Sequence, residues 1–196
     1  MKVFSQKNFN DVMKSLDKGE IVGVPTETVY GLAVRADNDD AIQKLLNLKH
    51  RHADSGKILS LMLPDVQHIS RYAEFEGTAR NVAQRFLPGE LTIVLPKKND
   101  FGHKYFDYFS TIGVRVPDHE YMLALLNKVG ALLVTSANPK GEAPCLTSDE
   151  LRERMPEVDG VVTGKSGGNL PSTVIDFSNT GEPAVLRQGG LLIVRY

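Results

Sequence analysis

Short apolar stretches that run directly into turn chemistry constrain this chain more than any other feature. Residues 21–24 read Ile-Val-Gly-Val and pass into Pro25, Thr26, Glu27 and Thr28. Residues 111–114 read Thr-Ile-Gly-Val and pass into Arg115, Pro117 and Asp118, while Ala-Leu-Leu-Val at 131–134 gives way to Thr135, Ser136 and Asn138. A fourth stretch, "PSTVIDF", opens on Ser172 and Thr173. Runs this short and this rich in Val, Ile and Leu read as buried strands, because a helix needs a longer periodic segment.

Between them lie segments of helical period. Phe9, Val12, Met13 and Leu16 share one helix face, and Ile42, Leu45, Leu46 and Leu48 mark an amphipathic helix over 39–51. Helical patterns follow at 65–72, 77–87 and 119–129, and "SDELRERM" begins on Ser148 as its expected N-cap. "ILSLML" and "LTIVL" read as strands, 99–110 as a polar aromatic loop, and "GVVTG", "STVIDF", "AVLRQG" and "LLIVRY" as late short strands. Alternating helices and strands early, with strands clustered late, predict an α/β fold: one open twisted mixed sheet with flanking helices, in a single domain spanning 1–196.

Composition bounds the partners. Twenty-three Lys and Arg nearly cancel 24 Asp and Glu, so no global field attracts nucleic acid or an anionic membrane, and any basic site is local. The single cysteine, Cys145, excludes an intramolecular disulfide framework and fits a reducing, cytoplasmic setting. No signal-peptide core and no membrane-length apolar run is present.

Polar residues gathered beyond strand ends are where open α/β sheets hold ligands. Any one such loop is explained by Ser, Thr or Asn bonding its own backbone; four together point to a site. Lys49-His50-Arg51 ends the second helix. It reads either as favourable charge at a helix C-terminus or as a paired cation for phosphate. The second needs the chain to leave the helix near Lys49. Neither a Walker loop nor G-x-G-x-x-G is present, "KSGGN" reads as a mobile turn, Ser136 is in no nucleophile elbow, and Cys145 has no evident base. His50 and His52 lack a third ligand at metal spacing. The residues describe a crevice for a polyanion without a covalent catalyst.

"PTETVYGL", "LKHR", "PGELTIVL", "GVRVPDH", "TSANPKG", "PSTVIDF" and "LRQG", in this order from about Val22 to Gly189, resemble the threonylcarbamoyl-AMP synthase family, the YrdC-like domain, in its short bacterial form. The resemblance implies a large positively charged cavity and synthesis of threonylcarbamoyl-AMP and pyrophosphate from L-threonine, bicarbonate or CO2, and ATP with Mg²⁺. A tRNA threonylcarbamoyl-transferase complex would then modify tRNA, with RNA contact an associated expectation. By motif position, Lys49 and Arg51 match the phosphate-gripping pair, and Ser136 and Asn138 the S-x-N at nucleotide and reacting centre; these four are the catalytic set. Thr111 and Arg187 match nucleotide-side positions, and Thr28, Tyr30, Arg115 and Ser172 the threonine side; no metal ligand set is implied.

The chain departs from the family pattern at His52, Ser55, Ser60 and Glu90, with Lys57 a candidate substitute for the usual lysine. A paralogue keeping the cavity without the reaction, an RNA-binding module, and a carbamoyl-transfer domain cut from a hydrogenase-maturation protein are the competing readings.

Overall fold

The computed structural model describes residues 1–50, 59–98, 104–179 and 182–193. Ten strands build one sheet among them: β1 (Lys2–Phe4), β2 (Val22–Val24), β3 (Gly31–Arg35), β4 (Ser60–Met62), β5 (Leu91–Pro96), β6 (Thr111–Arg115), β7 (Leu132–Ser136), β8 (Gly160–Val162), β9 (Thr173–Asp176) and β10 (Ala184–Arg187). Their order is β1-β8-β2-β3-β7-β4-β6-β5-β9-β10. Parallel pairs (β4 with β6, β5 with β9) mix with antiparallel ones (β3 with β7, β5 with β6), so the sheet is open and mixed as expected.

Six helices flank it among the described residues: α1 (Phe9–Asp17), α2 (Asp39–Leu48), α3 (Gly77–Phe86), α4 (Lys104–Asp107), α5 (Glu120–Val129) and α6 (Ser148–Arg154), with a 3-10 turn at Val66–Arg71. None is long and apolar enough to cross a membrane.

Strand alternation sends side chains to two faces. Leu32, Val34, Leu61, Ile93, Ile112, Val114 and Leu133 enter the larger core, against Ala41, Ile42 and Leu45 of α2 and Val82 and Ala83 of α3. The opposite face carries Val22, Val24, Ala33, Met62, Leu132 and Val134, against Val12 and Leu16 of α1 and Met122, Leu125 and Leu126 of α5. That second core stops short. Beyond Met62 and Val134, the same face continues on β4 and β6 with Ser60, Gly113 and Arg115, which join no apolar cluster. One sheet face is closed over by helices, and part of the other is left for a site.

Several boundaries differ from the sequence reading. The N-cap of α6 is Thr147, whose hydroxyl accepts from the Glu150 amide at 3.1 Å while the Glu150 carboxylate accepts from Leu146 N–H. Ser148 is therefore the first helical residue, because the Thr147 hydroxyl satisfies an amide of the first turn as an N-cap does. The 65–72 segment closes as a 3-10 turn, and α4 interrupts the expected loop at 99–110. β1 and β3 add to the strands that the sequence predicts, and residues 191–193 lie outside any strand. The helix begun at Asp39 ends at Leu48, and His50 takes a positive φ of 47°. The chain therefore does leave the helix at Lys49.

Candidate functional site

Where the second core ends, a cavity of about 270 Å³ opens, lined by Thr26, Thr28, Ser60, Arg115, Ser136 and Ser172 among others, with Arg187 beside them. Its size is at the lower edge of the roughly 300–1,000 Å³ usual for small-molecule pockets. That suits an amino acid rather than a whole nucleotide.

The "PTET" loop forms one wall. The Thr26 hydroxyl donates to Val29 O at 2.7 Å and accepts from the Thr28 amide at 3.1 Å, which folds the loop on itself. Arg115, at the end of β6, has a side chain only 6% exposed. Its Nη2 donates to Glu27 Oε1 at 2.8 Å and to Thr28 Oγ1 at 2.9 Å, and its Nε to Gly89 O at 3.3 Å. Nη1 bonds to no described residue. Opposite, Ser172 Oγ lies 2.8 Å from Thr92 Oγ1 and accepts from Arg187 Nη2 at 3.0 Å. Although Arg187 as a residue is exposed, its guanidinium folds back on Ser172, its Nε donating to Ser172 O at 3.0 Å. Burial lowers its pKa, and repulsion from Arg115 adds to the effect. Two guanidiniums thus share one small cavity, and the Glu27 carboxylate bonded to Arg115 lies outside its lining.

A second cluster adjoins the first through Ser136. Lys49, 4% exposed, donates from Nζ to Ser136 O at 3.1 Å, to Asn138 Oδ1 at 3.0 Å and to Asn138 O. Ser136 Oγ donates to Asn138 Oδ1 at 2.7 Å, and Asn138 Nδ2 donates to Pro139 O and Glu142 O. The structure brings Lys49, Ser136 and Asn138 together through these bonds, and of the three only Ser136 lines the cavity.

Other expected residues fall differently. Thr111 shares a strand face with Arg115 but stands four residues away, roughly 13 Å along β6, outside the cavity lining. Tyr30 lines the cavity, yet its hydroxyl donates to Val162 O at 2.7 Å and burial raises its pKa strongly, so its phenol anchors the fold. Arg187, expected on the nucleotide side, meets Arg115 and Ser172. Arg51, His52, Ser55 and Lys57 lie outside the described residues, and so does the question of a paired Lys49–Arg51 cation. Ser60 lines the cavity, while the Glu90 carboxylate packs against Gly190.

"KSGGN" is not a free turn. Gly167 N–H donates to Thr26 O at 2.9 Å and Gly168 N–H to Thr28 O at 3.1 Å, and a Cβ on Gly167 would stand 2.9 Å from Glu27 O. The glycines let this segment lie flat on the back of the "PTET" loop, a contact that glycine content alone does not announce. Glu27, which the sequence shows only as a polar residue between two threonines, joins the site through Arg115.

A similar approach sets Arg187. A Cβ on Gly189 would lie 2.1 Å from Pro171 O and 2.5 Å from the Ser172 carbonyl carbon. Gly189→Ala is expected to push the Arg187–Gly190 segment off Ser172. The cost should be about 1–3 kcal/mol of stability, as for other overpacked sites, read as a lowered midpoint in thermal unfolding. An unchanged midpoint would mean that the segment is not held there.

His119 lies just beyond this wall, its Nδ1 buried without a hydrogen-bond partner. Burial lowers its pKa against the opposing pull of Glu27, Glu120 and Asp118. Below the unfolded value near 6.5, the unfolded chain then binds the proton more readily than the native one, so stability falls as pH falls. His119→Gln should flatten the decline in thermal midpoint between about pH 7 and 5 relative to wild type; parallel declines would refute the assignment.

Comparison with known proteins meets this geometry. A family model for Sua5, YciO and YrdC, described as telomere recombination, matches residues 14–189. A Vibrio campbellii protein named threonylcarbamoyl-AMP synthase is 36% identical over 188 residues, covering 93% of this chain and 100% of its own. A Mus musculus protein of the same name is 31% identical, covering 89% of this chain and 64% of its own. Among solved structures, P. abyssi Sua5 complexed with L-threonine superposes with a TM-score of 0.88 at 27% identity, over 97% of this chain and 58% of its own. E. coli YciO gives 0.86 at 25% identity over 97% of both. With a family model covering most of its length and a relative of matching size above 30% identity, the chain belongs to the Sua5/YciO/YrdC family.

Proposed function

We propose that this chain is an L-threonylcarbamoyladenylate synthase, a nucleotidyltransferase joining L-threonine, bicarbonate-derived CO2 and ATP into threonylcarbamoyl-AMP with release of pyrophosphate. The observation that carries the reading is the arginine pair. Arg115 is buried with Nη2 and Nε committed to the protein and Nη1 left over, and Arg187 stands in the same amino-acid-sized cavity. The names of the Vibrio relative and the threonine complex of the P. abyssi structure support it.

In this scheme Arg115 takes the threonine carboxylate, with Thr28 and Ser172 beside it. The threonine amine adds to CO2 and loses a proton, giving a carbamate. A carbamate oxygen then attacks the α-phosphorus of ATP, and the bond to the leaving pyrophosphate breaks. Both reactants are anions, so the protein's work is to hold them together and offset charge. Arg187, where the two anions would meet, and Lys49, behind the Ser136–Asn138 turn, are the groups placed for it. No protein nucleophile is required; Cys145 is buried, and burial raises its pKa, which keeps the thiol protonated.

A divalent cation would arrive with the nucleotide. Mg²⁺ would be held mainly by the substrate phosphates, the usual mode for a nucleotide-bound ion. The phosphates would extend from Ser136 towards Lys49. The product is a mixed anhydride, so a tRNA threonylcarbamoyl-transferase complex is its expected consumer, in the cytoplasm.

Pyrophosphate release tests the reading. Release should need ATP, threonine and bicarbonate together, and omission of any one should abolish it. Release independent of threonine would sink the assignment.

A further inference from the structure

The arginine that would take the substrate carboxylate is itself held by a carboxylate. We propose that Glu27 is a positioning residue for the amino-acid substrate: it fixes the Arg115 guanidinium so that Nη1 is presented to the cavity. The inference rests on the synthase reading for the identity of the substrate, but its structural part does not.

Three observations carry it. First, Glu27 Oε1 gathers two donors from opposite sides, Arg115 Nη2 at 2.8 Å and the Asp118 amide at 2.9 Å. It therefore ties the "PTET" loop to the chain that follows β6, and the guanidinium cannot turn about its own axis without breaking that link. Second, the pair is single-contact. A free Arg–carboxylate pair favours a two-bond fork, yet here Glu27 Oε2 is buried with no partner, and Nη1 is uncommitted among the described residues. Thr28 Oγ1 on Nη2 and Gly89 O on Nε hold the fork open, so Nη1 is kept from the carboxylate that would otherwise neutralise it. Third, Glu27 is absent from the cavity lining while Arg115 is part of it. Glu27 therefore acts through Arg115 and not on the ligand.

The consequence separates orientation from charge. Glu27→Ala frees the guanidinium to swing and leaves it unpaired. Glu27→Gln removes the charge but keeps a carbonyl oxygen to accept from Nη2 and from Asp118 N–H. If orientation is the role, glutamine rescues what alanine loses.

Two readouts test this on the full chain. In ¹⁵N spectra of the arginine side chains, Arg115 of wild type and Glu27→Gln should show slow guanidinium rotation, and Glu27→Ala should lose it. Calorimetry with L-threonine should give about tenfold weaker binding for Glu27→Ala and within about threefold of wild type for Glu27→Gln, with ATP affinity unchanged in both. Equal loss of threonine and ATP binding in both variants, or an Arg115 signal indifferent to Glu27→Ala, would overturn the proposal. A wild-type Arg115 signal that depends on Glu27, in a protein that does not bind threonine, would sustain the positioning role and overturn the synthase reading instead.

Discussion

Arg115→Ala should lower threonine affinity by at least about 100-fold, some 3 kcal/mol, while ATP affinity stays within about twofold. Alanine deletes Nη1 and also strands Glu27, whose Oε1 then keeps only the Asp118 amide. Removing one partner of a buried pair costs roughly 3–5 kcal/mol of stability, so binding must be compared at a temperature where the variant is folded. Arg115→Lys makes the comparison cleaner. An ammonium keeps the charge but cannot serve Gly89 O, Glu27, Thr28 and a ligand in one plane, so its threonine affinity should fall between the two. Calorimetry that found ATP lost and threonine unaffected would reverse the substrate assignment.

Lys49→Met should act on the other substrate. Methionine fills the stem but leaves Ser136 O, Asn138 O and Asn138 Oδ1 without their shared donor. Hydrogen bonds to a charged donor are worth about 1.5–3 kcal/mol each, and the Ser136–Asn138 turn depends on this one. We expect kcat/KM for ATP to fall about 100-fold, with threonine affinity within a few-fold of wild type. Steady-state kinetics with each substrate varied in turn decide it; an unchanged ATP dependence would reduce Lys49 to a brace for the loop.

The two residues also show what was legible in the sequence. Short apolar runs ending in polar loops placed the strands that matter, because burial on both sides forces near-continuous Val, Ile and Leu. β3 was harder to see: "GLAVR" follows a tight loop, and its pairing with β2 and β7 is a tertiary fact. The grouping of Thr28, Arg115 and Ser172 at strand ends was readable as a pattern, while their partners were not. Glu27 reaches Arg115 across 88 positions, and Arg187 reaches Ser172 across 15. No local period encodes such contacts. Tyr30 lines the cavity, but the partner of its hydroxyl, Val162 O, lies 132 positions away and is equally absent from the local pattern. The glycines of "KSGGN" read as a mobile turn in the sequence, whereas Gly167 and Gly168 closely approach the "PTET" backbone.

The central claim is that carbon from bicarbonate is joined to threonine and then to the α-phosphate of ATP in this cavity. Incubating the purified protein with ATP, L-threonine and ¹³C-bicarbonate, and weighing the nucleotide product by mass spectrometry, tests it most directly. The account predicts a threonine-containing adenylate that carries a single ¹³C and is missing from an Arg115→Ala sample. An adenylate without the label, or ATP left unconsumed by the wild-type protein, would contradict it.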